Sequence, residues 1–382
     1  MIDYQNLLQG RYEVESLPEK SIPADWIVPD FAYNVLNPLG LLYRPVVDEH
    51  FISNGGKKPV WPNGKAFAVC LTHDVDHVSL FSLRQWLRPR IKELRNRKSS
   101  SQKMKGIIGL GIDMLRNNWK SLERDPIHCF ERWIDAEKAV NAPSTFFFWP
   151  GWSNVTKHHQ SDCTYELNDR IAFARQNCTV SEMIQEIHRC GWEIGLHPSF
   201  YSLYNVDELK RQKEALEKTI ENEILSIRQH YLYYDIRMTP RVHAQAGFQY
   251  DSTLGFNDNV GFRFGTSYPW YLYDLQAEKK LSIIELPLIV QDGALLKRFK
   301  GMRLNEETAF QYVVQITETI ENVGGVLTLL WHPHSIYNIK WWNLYLRILQ
   351  YLHNKDPWFA TVMDVGKWWK TNSKQTSAMD KD

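Results

Sequence analysis

AFAVCLTHDVDHV, residues 66 to 78, changes character half way along. Its first seven residues are small, apolar or β-branched, the composition of a strand buried in a sheet; His73, Asp74, Asp76 and His77 then fall within five positions. A chain leaving a hydrophobic core at such a cluster builds a metal site, a catalytic dyad or a well-solvated turn. The rest of the sequence has to decide between them.

From residue 66 onward a rhythm begins. Strand-like runs recur at 66–72, 144–149, 192–197, 224–230, 281–290, 326–332 and 358–364. Between several of them lie stretches with helical spacing, including TVSEMIQEIHRCG and NEETAFQYVVQITETIENVGG. Thr179 with Glu182 and Asn305 with Thr308 read as helix starts, and Gly191 and Gly324 as helix ends. Strands alternating with helices imply a parallel sheet covered on both faces or closed on itself. About seven such strands predict an α/β protein with a distorted (β/α) barrel, complete or incomplete. Residues 61–370 would form it, residues 1–60 an N-terminal arm or small extra layer, and residues 371–382 a disordered tail.

Two long insertions interrupt the rhythm, at about 84–125 and 152–178. The first is basic and helical: either a solvated helix face or the one place where an acidic or phosphate-bearing partner would dock. The whole chain, with 45 Lys and Arg against 44 Asp and Glu, carries a formal charge of +1, so no long-range field points to nucleic acid or an anionic membrane. A neutral or locally polar ligand is the better expectation. The N-terminus lacks the basic opening and apolar core of a signal peptide, and no segment approaches about 18 uninterrupted apolar residues, so the chain reads as cytoplasmic. Five cysteines without a C-x-x-C pair argue against a disulfide framework and a thiolate zinc site. Fifteen Trp, 18 Tyr and 17 Phe are rings enough both to fill a core and to line a sugar-binding groove.

The chemistry lies in the polar residues that close each apolar run. VCLT leads into His73, Asp74 and Asp76; EIGL into His197; ILSI into Arg228 and His230; TLLW into His332. In a parallel barrel the C-terminal ends of the strands open on one face, so these titratable groups converge on one rim. Carboxylate and imidazole together suit hydrolysis by a water activated on zinc or a similar divalent ion. Asp74 and Asp76, two residues apart on extended backbone, point to the same side, and two such close carboxylates divide their labour if one binds a cation and the other remains a base.

These residues resemble the polysaccharide deacetylases of carbohydrate esterase family four. LTHDVD is similar to that family's first motif, GWEIGLHPSFY to its second and LTLLWHP to its last, and Arg228 falls where a third motif has an arginine. The resemblance, over roughly residues 61 to 370, implies a distorted barrel of about seven strands. It implies Asp74 as catalytic base, oriented by Arg228, Asp76 and His197 as ligands of a divalent metal, most simply Zn2+, and His332 as general acid. It also implies a carbohydrate substrate losing an acetyl group, within surface-polysaccharide metabolism. Two departures stand out. Val75 separates aspartates that are usually adjacent. Tyr201 occupies the position of the second metal histidine, four residues after His197, and leaves His73, His77, His334 or water as alternative third ligands. A second reading is a catalytically impaired barrel that binds glycans or scaffolds polysaccharide assembly. A third is a glycosidase, for which Glu285 is the carboxylate best placed after Asp74. Arg263 is expected to bind substrate or to pair with Asp251 or Asp258, Trp331 to lie in the core or the substrate wall, and His158 and His159 to be solvated.

Overall fold

The computed structural model describes residues 2–16, 34–79, 82–96, 99–116, 130–174, 176–297 and 301–372. In chain order the strands are β1 (Ala68–Val75), β2 (Ser144–Phe148), β3 (Arg170–Phe173), β4 (Gln176–Thr179), β5 (Glu193–Leu196), β6 (Ser226–Ile227), β7 (Tyr250–Asp251), β8 (Trp270–Asp274), β9 (Lys279–Glu285), β10 (Val290–Gln291), β11 (Val326–Leu330) and β12 (Trp358–Phe359). β1 is buried at every residue because neighbours flank it on both edges: Leu71 pairs in parallel with Leu329 of β11, and Thr72 with Thr145 of β2. The sheet runs β10-β11-β1-β2-β5-β6-β7-β9-β8, parallel throughout except for the β8–β9 pair, and β12 adds to the start of β1. β3 and β4 form a separate hairpin within the second insertion. The mixed α/β architecture with a mainly parallel sheet is the predicted one.

The run 281–290 is a correction to the expected strand pattern. It is two strands, because Pro287 can donate no ladder hydrogen bond and the chain changes partner there. β9 ends at Glu285 beside β7, whereas β10 begins at Val290 beside β11, at the other end of the sheet. Five peptide steps reach at most about 18 Å, so the two ends of the sheet curl toward one another. Among the described residues no pairing joins β8 to β10. The runs at 224–230 and 358–364 are likewise shorter as strands than they read, the second turning into a helix at Val362–Asn372.

Helix boundaries agree with the predicted caps. Thr179 and Glu182 form a reciprocal capping box, Asn305 accepts from Thr308 N, and Gly324 closes its helix at φ +73°. The first insertion is helical over Leu83–Asn96 and Ser100–Arg116. Near the N-terminus, Leu7, Leu36, Val46 and Val47 form a small cluster, and Val47 N donates to Gly265 O at 2.8 Å. Arg263 pairs there with Glu13 at 2.6 Å rather than with Asp251 or Asp258. Trp61 packs on Trp358, Trp368 and Trp369 at the start of β1, and Trp331 is fully buried, so much of the Trp excess is core. Of the tail expected at 371–382, residues 371 and 372 end the last helix and the rest lie outside the described residues. No helix among the described residues is long and apolar enough to cross a membrane.

Candidate active site

The C-terminal ends of β10, β11, β1, β5 and β6 deliver their polar residues to one place. Trp331 N donates to Thr72 O at 3.0 Å, His197 N to Phe148 O at 2.8 Å and Arg228 N to Leu196 O at 3.0 Å, so the ladder itself sets the heights of His332, His197 and Arg228. Asp74, Asp76, His197, Arg228 and His332, each read from the end of an apolar run, are all brought together.

Arg228 is fully buried yet well supplied with partners. Its Nη1 donates to Asp74 Oδ1 at 3.1 Å and to Thr72 Oγ1 at 2.7 Å, while Nε and Nη2 donate to Ser252 O at 2.7 Å and Ser252 Oγ at 2.8 Å. The guanidinium also lies 4.5 Å from the ring centre of Phe147. Gly195 makes room for that ring, since a Cβ there would meet Phe147 at 2.5 Å. Asp74 is thereby held at one oxygen, with its other oxygen 3.9 Å from His197 Nε2.

Around Asp76 the geometry is different. Its Oδ1 is buried, accepts no hydrogen bond, and lies 3.3 Å from His197 Nε2 and 3.5 Å from His230 Nδ1. His197 Nδ1 is 2.7 Å from Arg228 O and His230 Nε2 is 2.8 Å from Ser161 O; backbone carbonyls only accept, so both of these nitrogens donate. The opposing nitrogens, His197 Nε2 and His230 Nδ1, lie 2.9 Å apart beside Asp76 Oδ1, and in the neutral rings they carry lone pairs. Three neighbouring donor atoms, each imidazole held by a carbonyl, could hold a divalent metal. Burial works against the charge on Asp76, but the imidazoles around it, His197 first and then His230 and His332, hold its carboxyl well below the usual range. Burial, with the neighbouring His197 adding to the fall, pushes the His230 imidazole down to about 4 and so favours its neutral form. The thiol of Cys163 lies within 4.8 Å of the Asp76 and His230 donor atoms and is pushed well up by burial.

His230 therefore stands where the third ligand was open. Tyr201 lies instead with Phe200, Leu203 and Tyr233, under Lys157 Nζ at 4.0 Å. His73 is committed elsewhere: its Nδ1 lies 2.7 Å from Trp331 O and its Nε2 2.6 Å from Glu137 Oε1, both out of water. His77 is exposed and packs edge-on to His334, with ring centres 5.0 Å apart. A signal for His230 was present, because Arg228 and His230 share the two-residue spacing of Asp74 and Asp76 on extended backbone. The turn after it is not readable locally: Tyr231 and Leu232 take φ of +59° and +53°, a left-handed conformation that bulky residues rarely adopt. It is held by Leu232 N donating to Gln229 O at 2.9 Å.

Asp292, immediately after β10, is a further member of this cluster that sequence reasoning missed. It corrects the expectation that Glu285 is the acid best placed after Asp74. Its Oδ1 lies 2.7 Å from His332 Nδ1, and its Oδ2 accepts from His332 N at 3.1 Å. Burial opposes a charge on His332, but the Asp292 carboxylate prevails and raises the imidazole, leaving Nε2 3.6 Å from Asp76 Oδ2. Glu285, the glycosidase candidate, is fully buried; burial and the charge of Asp251 push its carboxyl far up. His158 and His159 are not solvated but stacked, on Trp152 at 3.5 Å and on Phe200 at 3.9 Å between ring centres.

No protein-family model and no curated protein matches the sequence. Solved structures do. A protein assigned as a polysaccharide deacetylase from Mycobacterium smegmatis aligns with a TM-score of 0.53 and 21% identity, covering 83% of this chain and 94% of that one. One from Pseudomonas aeruginosa PAO1 aligns at 0.50 and 16% identity, covering 83% and 95%. A Puue allantoinase aligns at 0.50 and 14%, covering 83% and 94%. The chain has the fold of the polysaccharide deacetylases.

Proposed function

We propose that the protein is a metal-dependent hydrolase that removes an acetyl group from an N- or O-acetylated sugar or polysaccharide precursor. The observation that carries this reading is the pairing of two devices on one rim. Asp76, His197 and His230 converge their lone pairs, and Asp74 and His332 flank them, each held by its own partner, Arg228 and Asp292. A fold also found in an allantoinase does not by itself fix the substrate, so the sugar assignment rests on the motif resemblance as well as on the fold.

Asp76, His197 and His230 would hold the cation, zinc being the ion that suits one carboxylate and two imidazoles. When bound, such an ion supplies Lewis acidity to an acyl oxygen and lowers the pKa of water. Asp74, held at Oδ1 by Arg228, takes the proton of the attacking water on its remaining oxygen. His332, charged through Asp292, gives a proton to the departing amine or alkoxide. A base and an acid, each within about 4 Å of one of the converging donors, are what an acyl hydrolysis needs. A place in the cytoplasm, acting on precursors of a surface polysaccharide, fits this reading.

The alternative, a glycan-binding barrel without catalysis, takes its motive from Tyr201, and His230 supplies the imidazole that Tyr201 does not. The test is Asp74→Asn in protein purified without chelator. Turnover is expected to disappear while elemental analysis finds metal at the wild-type level; loss of metal together with activity would exchange the duties of Asp74 and Asp76. Protein that carries no metal and gains no thermal stability from zinc would favour the glycan binder.

A further inference from the structure

The near-neutral balance of the whole chain conceals a strongly uneven segment. Residues 84–125 contain twelve Lys and Arg against four Asp and Glu. Within it, the helix Ser100–Arg116 carries Met104, Ile107, Ile108 and Ile112, exposed to 60%, 56%, 57% and 45%. At 3.6 residues per turn these four share one face. Lys103 and Lys105, both exposed, fall on its two flanks. Leu110, turned away from that face, is half-buried, and the helix packs back on Leu83–Asn96. A Cβ added to Gly109 or Gly111 would meet nothing within 4 Å, so no other described part of the protein covers this side.

An exposed apolar stripe of four large side chains is costly in water unless something covers it. The flanking lysines say what. A protein partner of ordinary composition would have to match two ammonium groups on either side of a narrow stripe. The interface of an anionic bilayer provides apolar depth for the stripe and phosphate groups for both flanks at once. Leu83–Asn96 adds Arg84 and Arg95, exposed, and Arg90 stacked on Trp86 at 4.0 Å, an arrangement suited to the headgroup layer. Leu83–Asn96 is fixed to the body: Arg88 pairs with Asp169 at 2.5 Å and donates to Thr164 O at 2.8 Å, in the loop that carries Ser161 and Cys163.

We infer that the paired helices Leu83–Asn96 and Ser100–Arg116 are a peripheral membrane-docking element that seats the Met104, Ile107, Ile108 and Ile112 face in an anionic lipid surface. The inference is independent of the chemistry at the strand ends.

The experiment is co-sedimentation of the full chain with vesicles of phosphatidylcholine alone or mixed with phosphatidylglycerol. Binding is expected on the anionic vesicles, weakening as salt is raised. Lys103→Gln and Lys105→Gln should each weaken it about fivefold. The double substitution Ile107→Asp with Ile108→Asp should abolish it while circular dichroism stays unchanged, because both side chains point to solvent. No pelleting with anionic vesicles at low salt overturns the inference, as does equal pelleting with neutral vesicles. A dimer that Ile107→Asp splits, without vesicle binding, would mean that a second copy covers the stripe, and that too overturns it.

Discussion

His197 Nε2 and His230 Nδ1 face each other at 2.9 Å, and each ring spends its other nitrogen on a backbone carbonyl. Two imidazoles so oriented attract a cation more readily than they tolerate one another. His230→Ala is therefore expected to lower zinc affinity by at least about 10–100-fold, the loss usual for a mere supporting residue. Tyr201→Phe should leave it unchanged. Zinc titration against a competing chelator measures both; equal loss in the two variants would return Tyr201 to the coordination sphere.

Asp292→Asn keeps the shape beside His332 and removes the charge that raises its imidazole. A general acid works only while protonated, so activity falls as pH rises through its pKa. Lowering that pKa moves the alkaline limb of the pH profile to lower pH. A drop of roughly 10²-fold in kcat with little change in KM is expected as well. An unmoved alkaline limb would show that another group gives the proton.

Glu137 is buried behind β1 and accepts from Ser144 Oγ at 2.7 Å, Trp192 Nε1 at 2.8 Å and Tyr345 OH at 2.6 Å, besides its contact with His73 at 2.6 Å. Removing its charge strands His73 in the core. Glu137→Gln should cost about 3–5 kcal/mol in urea unfolding, the range for breaking one side of a buried pair. A loss below about 1 kcal/mol would mean that the contact with His73 does not act as a buried ion pair.

Stability should also depend on pH through Asp48, which is buried and accepts from Thr266 Oγ1 at 2.5 Å and Ser267 N at 2.7 Å. Burial raises its carboxyl to about 7 from 3.8. A raised acid favours folding fully below its unfolded pKa, and that contribution is lost as pH climbs through the folded value. Between about pH 4 and 7 the loss amounts to about 4 kcal/mol. Asp48→Asn, whose amide can donate to Thr266 and still accept from Ser267, should gain on the wild type across this window. Unfolding measured at about pH 5 and 7.5 would show it; parallel curves would exclude Asp48 as the source.

The residues that were legible in the sequence are those whose role derives from a strand end. Asp74, Asp76, His197, Arg228 and His332 each terminate an apolar run, and the parallel sheet does the rest. Asp292 escaped because Pro287 splits its run and carries the second half to the far end of the sheet, so its strand end could not be recognised. His230 was visible beside Arg228 but not its duty, which depends on a left-handed turn after it and on Ser161 from a distant loop. The partners of His73 are similarly remote, Glu137 and Trp331 lying far along the chain. Local pattern reports which face a residue occupies; it does not report what arrives there from elsewhere.

The pairing of Ala68–Thr72 with Val326–Leu330 has a bearing on biosynthesis. At about 5–20 residues per second, a ribosome needs roughly 10–50 s to travel between these two strands. Throughout that interval one hydrogen-bonding edge of β1 has no native neighbour, although β2 has long been available to cover the other. The rim cannot be completed before His332 has left the exit tunnel, so a chain interrupted upstream of it would display a bare apolar edge, open to chaperones and to other nascent chains.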